Sequence, residues 1–286
     1  MQLRNHDVNR RKKVVTLIEA ILLGLIQGLT EFLPVSSSGH LALAKPILGI
    51  DAEAGHFTTL VVFVHLGTAL SVISAYRQQV GAIVFQTARV LIAPKKLSIE
   101  YSRNESFRQA VQIGITLIPT GIAYIFMKEA IDNFFDRPHW VGALLIATGL
   151  LLSLTLFRKT PKGRITIVKS LIIGTAQAFA MLPGISRSGA TIAAAIYMNV
   201  DREQAARFSF LMALPVILAG ALLEGRDLLG SNINSAQWRV ILLATLVAYL
   251  SGLLAIRLVI HVVKRGKLQY FAAYCLVAGT LALILL

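Results

Sequence analysis

The sequence predicts an all-α polytopic membrane protein built from two inverted-topology repeats, each a re-entrant helix hairpin plus three transmembrane helices. Three observations carry this expectation. The chain is 56% hydrophobic and only 15% charged over 286 residues, whereas a soluble domain carries about 25% charge. Its apolar residues form long uncharged stretches, such as 140–157 and 240–256. Two further apolar regions are interrupted by Pro, Gly and Ser in a pattern that repeats.

Residues 1–13 are polar and basic, with Arg4, Arg10, Arg11, Lys12 and Lys13, and read as a surface tail. Spans are expected at 57–76, 109–127, 139–157, 207–223, 238–260 and 269–286, each apolar enough to cross a hydrocarbon core that needs roughly 20 residues. Several such stretches exclude one cleaved signal peptide ahead of a soluble enzyme. Trp140 and Trp238 begin spans, as interfacial anchors do. His56, His139 and His261 flank spans and read as interfacial. His65 lies inside one and reads as packed or hydrogen-bonded rather than as a ligand.

Regions 15–49 and 165–199 are the two interrupted ones. Irregular backbone at membrane depth survives only where protein or a water-filled cavity satisfies its polar groups, so both read as re-entrant pairs. At an offset of 150, Gln27, Ser36, Ser38 and Gly39 match Gln177, Ser186, Ser188 and Gly189. Residues 57–60 resemble 208–211 one position further along. The single domain therefore divides into a first repeat at 15–136, a span and linker at 137–164 completing that half, and a second repeat at 165–286. Interrupted segments of two inverted halves meet at a central site.

The formal net charge is +14, but the basic residues lie between apolar segments and not in a separate stripe, which argues against nucleic acid. Arg77, Arg89, Lys95, Lys96, Arg103 and Arg108 mark 77–108 as cytoplasmic. Arg158, Lys159, Lys162, Arg164 and Lys169 do the same for 158–169, and Lys264, Arg265 and Lys267 for 261–269. The segments holding Glu129, Asp132, Asp136, Glu224 and Asp227 fall outside. With three spans after each hairpin, the first hairpin enters from outside and the second from the cytoplasm; the basic tail then lies outside, against the same rule. Cys275, the only cysteine, permits no internal disulfide and no cysteine metal cluster.

Both breaks carry groups suited to phosphate. Gln27 and Glu31 are four apart and share a helix face, and a carboxylate at membrane depth is costly enough to mark a functional candidate. Glu31 is suited to binding a cation or handling a proton. Ser36, Ser37 and Ser38 can present hydroxyls and backbone N–H groups at a helix start. His40 can activate a serine, protonate a leaving group or act as the nucleophile. In the second break, Gly184 permits close approach, Arg187 offers a charged fork that matches phosphate oxygens, and Ser186, Ser188 and Thr191 either bind phosphate or cap helices. Pairing of Arg187 with Glu31 across the hairpins is a further possibility. The Arg202, Glu203 and Arg207 cluster reads as local ion pairing.

These motifs resemble the bacterial undecaprenyl-diphosphate phosphatase family, of bacitracin-resistance type: Gln27 and Glu31 running into 34–40, and a second segment at 183–191. The resemblance covers nearly the whole chain from about residue 16. It implies hydrolysis of undecaprenyl pyrophosphate to undecaprenyl phosphate and inorganic phosphate, recycling the lipid carrier for cell-wall synthesis at the outer face of the cytoplasmic membrane. It also implies dependence on a divalent cation, Mg or Ca, near Glu31 and Gln27. By resemblance Ser37 is the nucleophile, with catalytic positions at Glu31, His40 and Arg187, and phosphate-binding ones among Gln27, Ser36, Gly184, Ser186, Ser188 and Thr191. Gln27 stands where many relatives have Glu, which puts a two-carboxylate mechanism in question. The expected partners are an isoprenoid pyrophosphate lipid and membrane lipids. A homodimer is suggested by the small residues Gly142, Ala143 and Gly149. The competing class is an inverted-repeat transporter of an anionic or lipid-phosphate substrate.

Overall fold

A computed structural model of the chain describes residues 15–49, 55–92, 97–135, 137–158, 160–228 and 233–285. The basic tail, Lys95, Lys96, Asp136 and Lys159 lie outside the described residues, as do the side chains of His56, Asp132, Glu224 and Asp227.

The described residues form an all-α, multi-span membrane protein. In chain order the helices are α1 (Leu17–Phe32), α2 (Ser37–Leu48), α3 (Gly55–Ala75), α4 (Arg77–Ile92), α5 (Leu97–Arg103) and α6 (Glu105–Phe135). They continue as α7 (Pro138–Ser153), α8 (Ile167–Phe179), α9 (Arg187–Tyr197), α10 (Arg202–Leu228), α11 (Ser235–Lys264) and α12 (Gln269–Leu285). Five apolar stretches are long enough to cross a bilayer: Phe57–Ala75, Glu105–Glu129, Pro138–Phe157, Arg202–Leu223 and Ser235–Lys264. They coincide with five of the six expected spans. The sixth, α12, has 17 residues, at the lower limit for a span.

The basic segment 77–108, expected on the cytoplasmic side, contains two helices, α4 and α5. Arg77, Arg89 and the glutamines Gln78, Gln79 and Gln86 lower the mean hydropathy of α4 below that of a span.

α1 buries three polar side chains, Glu19, Gln27 and Glu31, among apolar ones and leaves an apolar face exposed. Its start is fixed by a capping box between Thr16 and Glu19, which satisfies two orphan backbone donors. Glu19, Leu23, Gln27 and Glu31 are buried along one stripe, while Leu17, Ile18, Ile21, Leu22 and Leu25 are exposed. The buried stripe packs on α11. Gly24 and Gly28 make the approach possible, since a Cβ at these positions would lie 2.6 Å from Ala244 O and 2.5 Å from Ala248 O.

α8 packs on α6 in the same manner. A Cβ on Gly174 would lie 2.6 Å from Thr116 O. α7 packs on α12, where the backbones of Gly142 and Gly279 nearly touch: a Cβ on Gly279 would be 2.6 Å from Gly142 O. Gly142 and Gly149, expected to permit close helix contact, thus make it within the chain.

Candidate active site

The first break runs from Leu33 to Ser36, and α2 begins at Ser37, so Ser37, Ser38, Gly39 and His40 form its first turn. Ser36 has φ +70°, a left-handed conformation that costs a non-glycine residue about 1–2 kcal/mol. Its hydroxyl offsets this by accepting from Gly39 N at 3.2 Å and Gly184 N at 3.1 Å. One side chain thereby caps its own helix and ties the two breaks together.

The second break ends at Ser186, the N-cap of α9, whose hydroxyl accepts from Gly189 N at 3.0 Å. Gly184 has φ +105°, and a Cβ there would lie 2.5 Å from Val141 O; both facts demand glycine. Thr148 of α7 holds the turn from behind, donating to Gly184 O at 2.9 Å and accepting from Ser186 N at 3.1 Å. Ser188 Oγ donates to Leu33 O at 3.1 Å, back across to the first break.

These ties bring Arg187 against Glu31. Arg187 Nη2 donates to Glu31 Oε1 at 2.5 Å. The other carboxylate oxygen accepts from Ser37 Oγ at 2.5 Å and from Gln27 Nε2 at 2.9 Å. The Glu31 side chain is 6% exposed and that of Arg187 17%. A buried ion pair of this kind offsets its desolvation only through good geometry and further hydrogen bonds, and the Ser37 and Gln27 donors supply them.

A cavity of about 420 Å³ opens in front of this cluster, lined by Glu31, Ser36, Ser37, Ser38, Ser186 and Arg187. Val61, Val62, Met181, Ile185, Val216 and Ile217 form an apolar wall beside them. The first turns of α2 and α9 thus face one space, where the partial positive charge of helix N-termini favours an anion. A hydroxyl hydrogen-bonded to a carboxylate beside a guanidinium can attack an electrophilic phosphorus, with the positive groups neutralising its oxygens. The wall suits an adjacent apolar chain.

Other expected residues lie behind the wall. Gln27 is fully buried beneath Glu31. Thr191 Oγ1 lies 2.8 Å from Arg187 O and 2.7 Å from Ser209 Oγ, within the packing of α9 on α10. His40 turns toward α12: its Nδ1 lies 2.7 Å from Ser36 O, its Nε2 2.7 Å from Tyr274 OH, and the two rings stack at 5.6 Å. The histidine on the cavity wall is His65. Its Nδ1 donates to Val61 O at 2.8 Å, which leaves Nε2 as the acceptor nitrogen in the neutral ring. Lys45 also lines the cavity. Thr148, Lys45 and Tyr274 escaped the sequence reading, although each is a polar group inside an apolar stretch.

The expected cation meets an all-oxygen donor set: the Glu31 carboxylate, the serine hydroxyls, and Gln27 Oε1, which is buried without a hydrogen-bond partner. Hard divalent cations take such ligands. Among the described residues, no group of three or more His, Cys, Asp and Glu side chains could hold a metal. The residues therefore fit a cation held from the cavity by the Glu31 carboxylate together with substrate phosphates, with Gln27 Oε1 behind it and off the cavity wall, not one caged by protein alone.

The sequence pattern described as Bacitracin resistance protein BacA matches residues 20–281. The chain belongs to the BacA family. Among BacA-family relatives, a protein of Salinibacter ruber named Undecaprenyl-diphosphatase is 48% identical over 268 residues, covering 94% of this chain and 98% of that protein. Proteins with the same name from Halothermothrix orenii and Bacteroides thetaiotaomicron are each 38% identical, covering 94% and 93% of this chain and 98% of their own lengths. The family match extends over both breaks and the five long spans, and over most of α12.

Proposed function

We propose that this chain hydrolyses undecaprenyl pyrophosphate to undecaprenyl phosphate and inorganic phosphate in the bacterial inner membrane. The observation that carries this reading is the Ser37, Glu31 and Arg187 cluster at two helix N-termini beside an apolar wall. It occurs in a chain 48% identical to a protein named for that activity.

In the mechanism we favour, Arg187 and the first turns of α2 and α9 hold the terminal phosphate. Ser37 Oγ attacks its phosphorus and passes its proton to Glu31. The bridging P–O bond breaks, undecaprenyl phosphate leaves, and water then cleaves the phosphoserine to release phosphate and restore Ser37. Arg187 stabilises charge on the phosphate oxygens throughout. Ser36 and Ser186 contribute capped turns, while Gly184, Ser188 and Thr191 maintain their shape. Glu31 and Gln27 would hold a divalent cation, which when bound supplies further neutralisation of phosphate charge. The bond from His40 to Tyr274 favours a supporting role for His40 at the base of α2.

We read the architecture as two inverted repeats with re-entrant hairpins α1–α2 and α8–α9. Support comes from recurring contacts at the offset of 150. Ser36 and Ser38 hydroxyls lie 3.3 Å apart, Ser186 and Ser188 hydroxyls 3.2 Å. Gly39 abuts Gly184 as Gly189 abuts Pro34. Gln27 and Gln177 both have a buried unpartnered Oε1. In this arrangement 15–136 is the first repeat, 137–164 completes its half and 165–286 is the second, with the cavity opening toward the outer side.

The test is phosphate release from undecaprenyl pyrophosphate by detergent-purified protein, with Ser37→Ala compared with the parent. Loss of at least ~10³-fold, with unfolding changed by no more than the ~1 kcal/mol of one hydrogen bond, is expected. Undiminished release by Ser37→Ala would remove Ser37 as nucleophile. Silence of the folded parent would sink the phosphatase reading and turn attention to transport.

A further inference from the structure

A second hollow, of about 860 Å³, lies where α3 meets α4, away from the residues of the candidate active site. Three arginines from three helices line it: Arg77 of α4, Arg207 of α10 and Arg257 of α11. Beside them are the apolar side chains of Leu253, Ile256 and Ile260.

All three arginines are exposed, so their charges are presented at the open side of the hollow, where like charges gathered together repel each other at a cost. Acidic side chains do not resolve this cost. Glu203 pairs with Arg207 but is shared with Lys264 at 2.6 Å. Among the described residues, Arg77 and Arg257 form no ion pair.

Arg257 is the sharpest case. It lies inside the membrane-crossing stretch Ser235–Lys264, beside the exposed Leu250, Leu254 and Leu258. A charge on a lipid-facing stripe is costly unless it reaches a polar partner at the interface. Snorkelling would carry a single arginine to any headgroup, but it does not account for three converging from separate helices on one apolar floor. An amphiphile with a phosphate head and an acyl chain complements both parts. Basic pockets between membrane helices bind anionic headgroups in this way.

We propose that this hollow is a binding site for an anionic phospholipid. Its phosphate is held by Arg77, Arg207 and Arg257, and an acyl chain lies over Leu253, Ile256 and Ile260. The site stands apart from the reaction, so its failure would leave the phosphatase reading untouched.

The test is native mass spectrometry of the full chain in detergent, titrated with phosphatidylglycerol, phosphatidylcholine or inorganic phosphate. Phosphatidylglycerol is expected to bind at least ~10-fold more tightly than phosphatidylcholine, and inorganic phosphate at millimolar concentration to leave it in place. Arg257→Gln and, independently, Arg77→Gln should each weaken phosphatidylglycerol about five-fold, the contribution of one arginine at a membrane surface. Arg239→Gln, at the other end of α11, should not. Unchanged phosphate release from undecaprenyl pyrophosphate reports that the variants remain folded. Equal binding of the two lipids, an equal loss in Arg239→Gln, or no loss in either folded site variant would overturn the proposal. Displacement of lipid by inorganic phosphate would also overturn it, revealing an anion site and not a lipid site.

Discussion

Arg187 and Glu31 stand 156 positions apart in the chain yet form one buried pair, so stability and activity are coupled at this contact. Removing only one partner strands the other charge. Arg187→Ala should therefore cost about 3–5 kcal/mol as well as activity. Replacing both, as Glu31→Leu with Arg187→Met, should recover most of the thermal stability in detergent while phosphate release stays absent. A double variant as unstable as Arg187→Ala would show that pairing is not what the arginine contributes to the fold. The residues of this pair were legible in the sequence because a carboxylate and a guanidinium inside apolar segments have few bland explanations. His65, expected to be packed or hydrogen-bonded, does bond Val61 O, but its place on the cavity wall was not legible: one histidine in an apolar span looks the same whether it faces a neighbour or a cavity.

Among the helices, close approach is concentrated where glycine permits it. A Cβ on Gly28 would sit 2.0 Å from Ser251 Oγ and 2.5 Å from Ala248 O. The second atom is backbone and cannot rotate away. Gly28→Ala should thus force α1 off α11 at a cost of about 1–3 kcal/mol. Gly121 on α6 has nothing within 4 Å of its would-be Cβ, and Gly121→Ala should hold or raise stability, by up to about 1 kcal/mol. Thermal unfolding of the two variants side by side checks this, and equal effects would contradict the α1–α11 contact. Both breaks were readable because Pro34, Pro183 and the clustered serines and glycines are local signals. The helix start expected at the three serines is found at Ser37; what was not readable is the tie across the molecule, Ser36 accepting from Gly184. Thr148 was visible as a polar residue in an apolar span, but its role was not, because it acts on residues 36 and 38 positions away.

For the molecule as a whole, charge distribution makes a sidedness prediction. Cys275 is buried, which gives a quiet background for introduced thiols. Ser235→Cys should react with a membrane-impermeant maleimide in right-side-out vesicles, and Lys267→Cys only in inside-out ones. The reverse pattern would invert the proposed orientation while leaving the site geometry intact. The sequence offset of 150 is the basis of the two-repeat arrangement proposed above, but it does not report how the helices interlock: α1 is covered by α11, and α8 by α6. That cover depends on matching shapes far apart in the chain, which no local pattern reports.

The covering of α1 by α11 also constrains the order of events during synthesis. At about 5–20 residues per second, the stretch from Phe32 to Ser235 takes on the order of 10–40 s to emerge from the ribosome. Until then the Gly24 and Gly28 face of α1 has no α11 to lie against, and Arg187, the partner of Glu31, arrives only near the end of the wait. The nascent chain must shelter a carboxylate near lipid through most of its own translation. The insertion machinery, or the aqueous interface beside it, is thus a temporary stand-in for the missing helix.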